Sequence, residues 1–334
     1  MTDTPSPSAV RSPRTARSPR TGLLATLAVR YAMVLVMVAI IVFFVIQSSR
    51  FATVDNLMTI LVAAAPFALI ALGQTLVILT GGIDLSVGSV IAASGMTAAL
   101  VAKSLPGQLW VAVAAAVAAG LLAGCINGFV VARLNVPPFI ATLGMMTLAS
   151  GVAFVIGGGA PINGLPADFG AIANTKVLGV TVPVILMIVG ILALAFIMKR
   201  TSYGLRVYAV GGNRLAAEIA GVKTRGVLFS VYAVSGVLAA ISGVMLSSRV
   251  ISGAPTLGQG YELDAIAAVV IGGASLMGGR GTVWGTALGL LLIQTLNNGL
   301  DILIVPAYWQ DVIKGVLIVT AVTIDVWATR RKTR

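Results

Sequence analysis

Residues 80–90 read TGGIDLSVGSV, and the carboxylate of Asp84 in the middle of them governs how the chain has to fold. Residues 57–80 before it are almost unbroken apolar sequence, and the same character resumes over 85–102. A carboxylate at the centre of a bilayer costs about 2.5–3.5 kcal/mol even on the scale most lenient to charge. Asp84 must be held, hidden or used. Gly81-Gly82 can end one helix, and Asp84 can then cap a second helix that begins at Leu85, its carboxylate near the Val87 amide at the positive dipole end. Ser86 and Ser89 add hydroxyls, and Gly88 permits close packing. The expectation is a helix broken inside protein, where irregular backbone is tolerated. Capping and direct binding of a solute are compatible roles for this one residue.

Working outward, the 334 residues are 58% hydrophobic and 10% charged, with mean hydropathy +1.03. Soluble domains carry about 25% charged residues, and a chain of this size cannot hide so much apolar surface from water. Apolar stretches near 27–47, 57–80, 108–132, 177–198, 227–248, 283–300 and 308–328 each approach the ~20 residues that span hydrocarbon. Less clean stretches near 85–102, 137–157 and 264–278 bring the expectation to about ten transmembrane helices. The fold class is an all-α polytopic membrane protein. Cys125, the single cysteine, has no partner in the chain and reads as a small hydrophobe in an apolar run. With no histidine anywhere, the commonest general base, metal ligand and proton relay are all missing. No catalytic set, metal site or cofactor is expected.

The net charge of +12 follows from topology and does not require nucleic acid. Cytoplasmic loops of membrane proteins retain Lys and Arg. With both termini placed in the cytoplasm, the inside set holds Arg11, Arg14, Arg17, Arg20, Arg30, Arg133, the basic residues from Lys199 to Arg225, Arg280 and the C-terminal cluster. Only Arg50, Lys103, Lys176 and Arg249 fall outside, with Lys314 in the last span. Residues 1–22, rich in Arg, Ser, Pro and Thr, have almost nothing to bury and read as a disordered basic tail. They lack a signal peptide's apolar core, so the membrane-spanning body is taken as 23–330. A Gly/Pro/Asn/Asp-rich loop at 158–176 is expected outside. Gly81-Gly82 and Gly272-Gly273, each followed later by Asn-Gly (127–128 and 298–299), suggest two halves of opposite topology, the pattern of inverted repeats.

The hydrophilic loop 199–225 divides those halves. Within it GGNRLAAEIAGV predicts a short helix, with Asn213 as N-cap and Gly221 just past the C-terminus. Arg214 and Glu218 lie i,i+4 on one face, and Leu215 and Ile219 on another. Two turns are unstable alone in water. The helix therefore either lies on the protein's own surface or inserts its Leu and Ile into a cytoplasmic partner, the reading favoured by those two apolar side chains. The stretch GGASLMGGRGTVWG at 272–285 is no phosphate-binding loop, because the Lys-Ser/Thr pair of that motif is absent; its glycines fit a tight turn between helices. Intramembrane polar groups are few. Gln74, Asp84, Asn127, Gln294, Asn297 and Asn298 are candidates to line a path for a neutral polyhydroxy solute, though each amide is equally accounted for by interhelical hydrogen bonds. Asp311 and Lys314 fit a local ion pair.

GGIDLSVGS at 81–89, TSYGLRVYAVGGNRLAAEIAGV at 201–222 and GGASLMGGRGTVWGTALG at 272–289 with Asn298-Gly299 together resemble the permease subunit of ribose-type ABC importers, from about residue 30 to the C-terminus. The resemblance implies a bacterial inner-membrane protein with about ten helices per subunit and a permease dimer. It also implies a cytoplasmic ATP-binding subunit docked on the helix at 213–221 and an extracytoplasmic sugar-binding protein that does most of the solute selection. On that view the path carries no charged site. Related permeases for branched-chain amino acids or nucleosides are the near alternatives. An ion-coupled secondary transporter is the distant one, since Asp84 is the only deep carboxylate evident and a relay has little to run on.

Overall fold

The computed structural model describes residues 19–332; the expected tail lies mostly outside them, and α1 (Pro19–Gln47) begins within its last residues. α2 (Val54–Leu79) starts where the Thr53 hydroxyl accepts from the Asn56 amide at 3.2 Å. From Ala64 on, its residues are buried almost without exception. A helix apolar all round belongs in the middle of the protein, and α2 does sit there. The chain then turns at Gly81, whose φ of +79° suits glycine, runs without helix through residues 82–86, and enters α3 (Val87–Ser104). The second helix therefore starts two residues later than the sequence suggests, and Ser86, not Asp84, occupies its N-cap position.

α4 (Leu109–Ala132) and α5 (Pro138–Ile156) follow as apolar hairpin arms. The stretch 158–176, expected as a plain loop, contains α6 (Ala167–Asn174), whose Phe169 is fully buried. A two-residue hairpin, β1 (Lys176–Val177) with β2 (Val180–Thr181), leads into α7 (Val182–Arg200). Next come α8 (Ser202–Gly212), α9 (Arg214–Ile219) and the long α10 (Thr224–Val250). α11 (Tyr261–Ile271), α12 (Val283–Ile302) and α13 (Ala307–Lys332) complete the described chain. Among the described residues, six helices, α2–α5, α7 and α10, are long and apolar enough to cross a membrane. The stretch expected as a span at 264–278 holds only the 11-residue α11. At 1.5 Å per residue it is about half the ~30 Å needed.

α10 organises the packing. Gly73 meets Ser235, and the Ser242 hydroxyl donates to Pro66 O at 3.0 Å, so α10 runs antiparallel to α2. α3 runs parallel to α10, with Gly95 against Gly243 and Ser247. α4 is antiparallel to α10, Gly120 lying by Gly236 and Gly128 by Phe229. α11 packs antiparallel on α12 through Gly272 with Gly285 and Gly289 with Ala268. Small residues at these crossings let backbones meet, since lipid supplies no hydrophobic drive to press helices together. Leucines and phenylalanines such as Leu121, Leu122, Phe139 and Phe196 remain exposed on the outer helices, a belt suited to hydrocarbon.

A Cβ on Gly236 would overlap the Gly120 carbonyl and lie 2.9 Å from Gly124 Cα, whereas Gly226 at the start of α10 has open space. Gly236→Ala is therefore expected to lower stability by about 1–3 kcal/mol through overpacking. Gly226→Ala should be neutral or stabilising by up to about 1 kcal/mol. Thermal unfolding of the two variants in detergent checks the contrast.

Candidate functional site

Asp84 is 2% exposed, with no cation beside it among the described residues. Hydroxyls and an amide hold it instead. Ser86 donates to Oδ1 through its backbone N–H at 3.0 Å and its hydroxyl at 2.6 Å, and the Ser235 hydroxyl of α10 donates to Oδ2 at 2.9 Å. Asn127 of α4 donates to Ser86 Oγ at 2.9 Å. The Gln74 amide, oriented so that both its groups are satisfied, donates to Asp84 O and accepts from Asp84 N, each at 3.2 Å. Thr142 of α5 donates to the Ile83 carbonyl at 3.1 Å. Non-helical backbone at membrane depth needs such partners, because no water is there to supply them. Gln74, Asp84 and Asn127 thus meet in one network that braces the break before α3. Gln294, Asn297 and Asn298 lie apart on α12, and Gln294 Nε2 and both asparagine Oδ1 atoms are buried without a partner among the described residues.

A second break mirrors the first. After α10 the chain runs back through 251–260 with turns and a bridge between Ile162 and Gly253, then enters α11. The first turns of α3 and α11 come together: a methyl on Gly88 would overlap the Glu262 carboxylate and lie 2.6 Å from the Gly258 carbonyl oxygen. Beside this junction lies a cavity of about 420 Å³, within the range of small-molecule sites. Ser89 of α3, Thr147 and Ser150 of α5, and Thr256, Gln259 and Glu262 supply its polar lining. None of the six path candidates read from the sequence lines it. Glu262 also corrects the picture of Asp84 as the lone deep carboxylate. Its sequence signal was the acidic pair Glu262 and Asp264 ahead of an apolar run, a helix first turn. Asp264 is taken up elsewhere: Lys314 sits 3.7 Å from it and 2.8 Å from Asp311, so the local pair is a three-residue cluster joining α11 to α13.

At the far end from this cavity, α9 forms as the sequence suggests. The Asn213 side chain accepts from the Ala216 amide at 2.9 Å, and Gly221 takes φ +82°. Arg214 and Glu218 pair at 3.3 Å. Leu215 is 68% and Ile219 81% exposed. The Thr224 hydroxyl, and after it Arg214, hold the Glu218 carboxyl below its ordinary value. Glu218 is thus ionised at neutral pH, and its pairing is lost only as pH falls through that lowered range. α8 connects this helix to the start of the first break and to the turn between α11 and α12. Gly211 is pressed against the Leu79 carbonyl and Gly279, Gly279 N donates to Leu79 O at 2.9 Å, and the Tyr208 hydroxyl donates to Gly281 O at 2.9 Å. The three glycine-bearing motifs at 81–82, 211–212 and 278–281 converge on one spot.

Comparison with known proteins bears on the same stretches. The family described as branched-chain amino acid transport system / permease component matches residues 56–322. The chain belongs to that family. The ribose import permease protein RbsC of Escherichia coli (strain K12) is 44% identical over 282 residues, covering 83% of this chain and 88% of the relative. RbsC of Bacillus subtilis (strain 168) is 42% identical over 273 residues, 81% of this chain and 84% of the relative. The L-arabinose transport system permease protein AraH of Escherichia coli (strain K12) is 33% identical over 303 residues, 91% and 92% of the two chains. No solved structure matches. A family of permeases accords with what the geometry offers: a broken helix path and a polar cavity at the junction of α3 and α11.

Replacing Asp84 tests the brace. Asn keeps an acceptor for Ser86 but puts an NH2 donor where Oδ2 accepts from Ser235, whose hydroxyl must turn to accept, while Leu leaves several buried donors unmet at about 1–3 kcal/mol each. Asp84→Asn is expected to insert at near-normal levels with modestly lowered thermal stability, and Asp84→Leu to lose most of the folded protein. Membrane levels and detergent melting of the two variants are the readouts.

Proposed function

We propose that this chain is the transmembrane permease subunit of an ABC importer that carries a monosaccharide into a bacterial cell by alternating access, driven by a separate ATP-binding subunit. The observation that carries the reading is α9, a capped two-turn helix holding Leu215 and Ile219 out into solvent at the end of a lever, α8, that touches the end of α2 at the first break and the turn after α11. An apolar pair left in water on so short a helix calls for a groove to receive it. Beside it lies a second cavity of about 610 Å³ bearing Arg206 and Lys223, which supplies a basic rim. The solute class rests on the relatives, named for ribose, D-allose and L-arabinose, and on a cavity rich in hydroxyls.

On this reading the α9 end is cytoplasmic, both termini lie on that side, and α2–α3 with α10–α11 are the two copies of an inverted repeat. Their antiparallel long helices, each followed by a returning shorter helix, support that pairing. A loaded sugar-binding protein docks on the opposite end, where the tip of the β1–β2 hairpin, Leu178, is 99% exposed; Phe169, being buried, is unsuited to that surface. ATP binding closes the ATPase pair and pulls on α9. α8 passes the motion through Gly211 and Tyr208 to the backbone at Leu79 and Gly281, shifting the breaks against each other. The solute crosses between two copies of this chain while hydrolysis, performed by the partner, resets the cycle. Surrounding lipid covers the apolar belt.

Two variants test the lever. Fully burying a Leu or Ile is worth about 1.5–3 kcal/mol, so Leu215→Asp with Ile219→Asp should abolish co-purification with the ATPase and solute-stimulated ATP hydrolysis, leaving insertion intact. Retained co-purification and stimulation would rule α9 out as the coupling element. Tyr208→Phe removes one hydrogen bond, worth about 0.5–1.5 kcal/mol. It should keep the ATPase bound but lower sugar uptake per ATP hydrolysed about two- to tenfold, read in proteoliposomes. Uptake of ribose, allose or arabinose that needs ATP and ignores a protonophore separates this reading from an ion-coupled transporter.

A further inference from the structure

The junction of α3 and α11 holds an electrostatic arrangement that transport alone does not require. Ser86 and Gly260 occupy the cap positions of the two helices without a cap bond of their own; the Asp84 carboxylate takes the Ser86 N–H, whereas among the described residues none ahead of α11 supplies such a group. The first N–H groups of a helix carry partial positive charge and lack partners within the helix. Two such ends that meet beside a cavity would ordinarily attract an anion. Glu262 sits there instead. It lies in the first turn of α11, against Gly88 in the first turn of α3, on the cavity wall, with no cation paired to it among the described residues. The Ser89 and Ser150 hydroxyls on the same wall make no hydrogen bond within the described protein.

We infer that Glu262 makes this cavity a weak binding site of the permease itself for uncharged polyhydroxy solutes and turns anionic ones away. The inference rests on the importer reading and deepens it. A carboxylate offers acceptors to two neighbouring hydroxyls of one sugar, and charge strengthens both bonds. Ser89, Ser150 and Gln259 supply further donors and acceptors around it. The same charge offsets the pull of the α11 end and repels a carboxylated or phosphorylated solute. Selection is then shared between the binding protein and the permease, and the path does contain a charged group.

The test uses the permease–ATPase complex in lipid nanodiscs with no binding protein, probed by saturation-transfer NMR with D-ribose and with its acid, D-ribonate. Wild type should contact ribose and not ribonate. Glu262→Gln, which keeps size and shape, should weaken ribose contact about tenfold, as for loss of a hydrogen bond to an ionised acceptor, and should gain ribonate contact. Ser150→Ala should weaken ribose contact without admitting ribonate, while Asp301→Asn, an exposed charge away from the cavity, should change neither. If Glu262→Gln matches wild type for both probes, or wild type shows no ribose contact, the inference is overturned. ATP-dependent ribose uptake by the complete wild-type importer is measured beside it. If that uptake is present in either case, the importer reading stands. If the importer takes up neither ribose, allose nor arabinose, the reading itself falls and this inference with it.

Discussion

A carboxylate removed from both water and cations has to be met by donors, and at Asp84 those donors come from two directions, one of them steadied by a third residue. Ser86 bonds it locally, Ser235 reaches it from α10, and Asn127 of α4 holds Ser86 in place. Gln74 and Thr142 satisfy the backbone on either side from α2 and α5. Four helices are thereby fixed around six residues of unwound chain. Removing any one donor leaves a buried polar atom unmet, a cost comparable to a sizeable part of a domain's net stability. Such a network does little for affinity between helices but fixes their register, because only one rotation of each helix presents the required group.

That fixed register gives the other features their meaning. With α3 starting part-way along α10, its first turn reaches the first turn of α11, and the two breaks enclose a cavity that neither could form alone. The end of α2 at Leu79 and the turn after α11 at Gly279–Gly281 lie against α8. A displacement of α8 therefore has a short physical route to both cavity-lining helices, through backbone contacts too close to absorb it. Packed contacts of this kind tend to switch between arrangements and do not deform continuously.

Much of this was legible from residue types. The apolar stretches, the buried Asp84, the capped helix at 213–221 with its exposed Leu215 and Ile219, and the Arg214–Glu218 pair all follow from local rules of spacing and propensity. What the local rules missed is instructive. Asp84 was read as a helix cap one turn from its own chain, yet its Oδ2 goes to Ser235, 151 residues away. The stretch 158–176 concealed α6, because its Gly and Pro content outweighed a short helical signal that tertiary burial of Phe169 then stabilises.

By itself the sequence determined that this is a helical membrane protein with a break at residues 80–86 and a short capped helix at 213–221, since hydropathy, helix caps and glycine turns act over a few residues and leave their trace in order along the chain. Only the tertiary structure decided which polar residues brace and which line a cavity. Gln74 and Asn127 are amides in apolar runs, as is Gln294, and no spacing rule tells them apart; Glu262 lies ahead of an apolar run, where an acidic residue signals a helix start and nothing about a cavity. Their roles depend on which helix face meets which neighbour at what depth, and that is set by long-range packing of small residues between α10 and the helices around it.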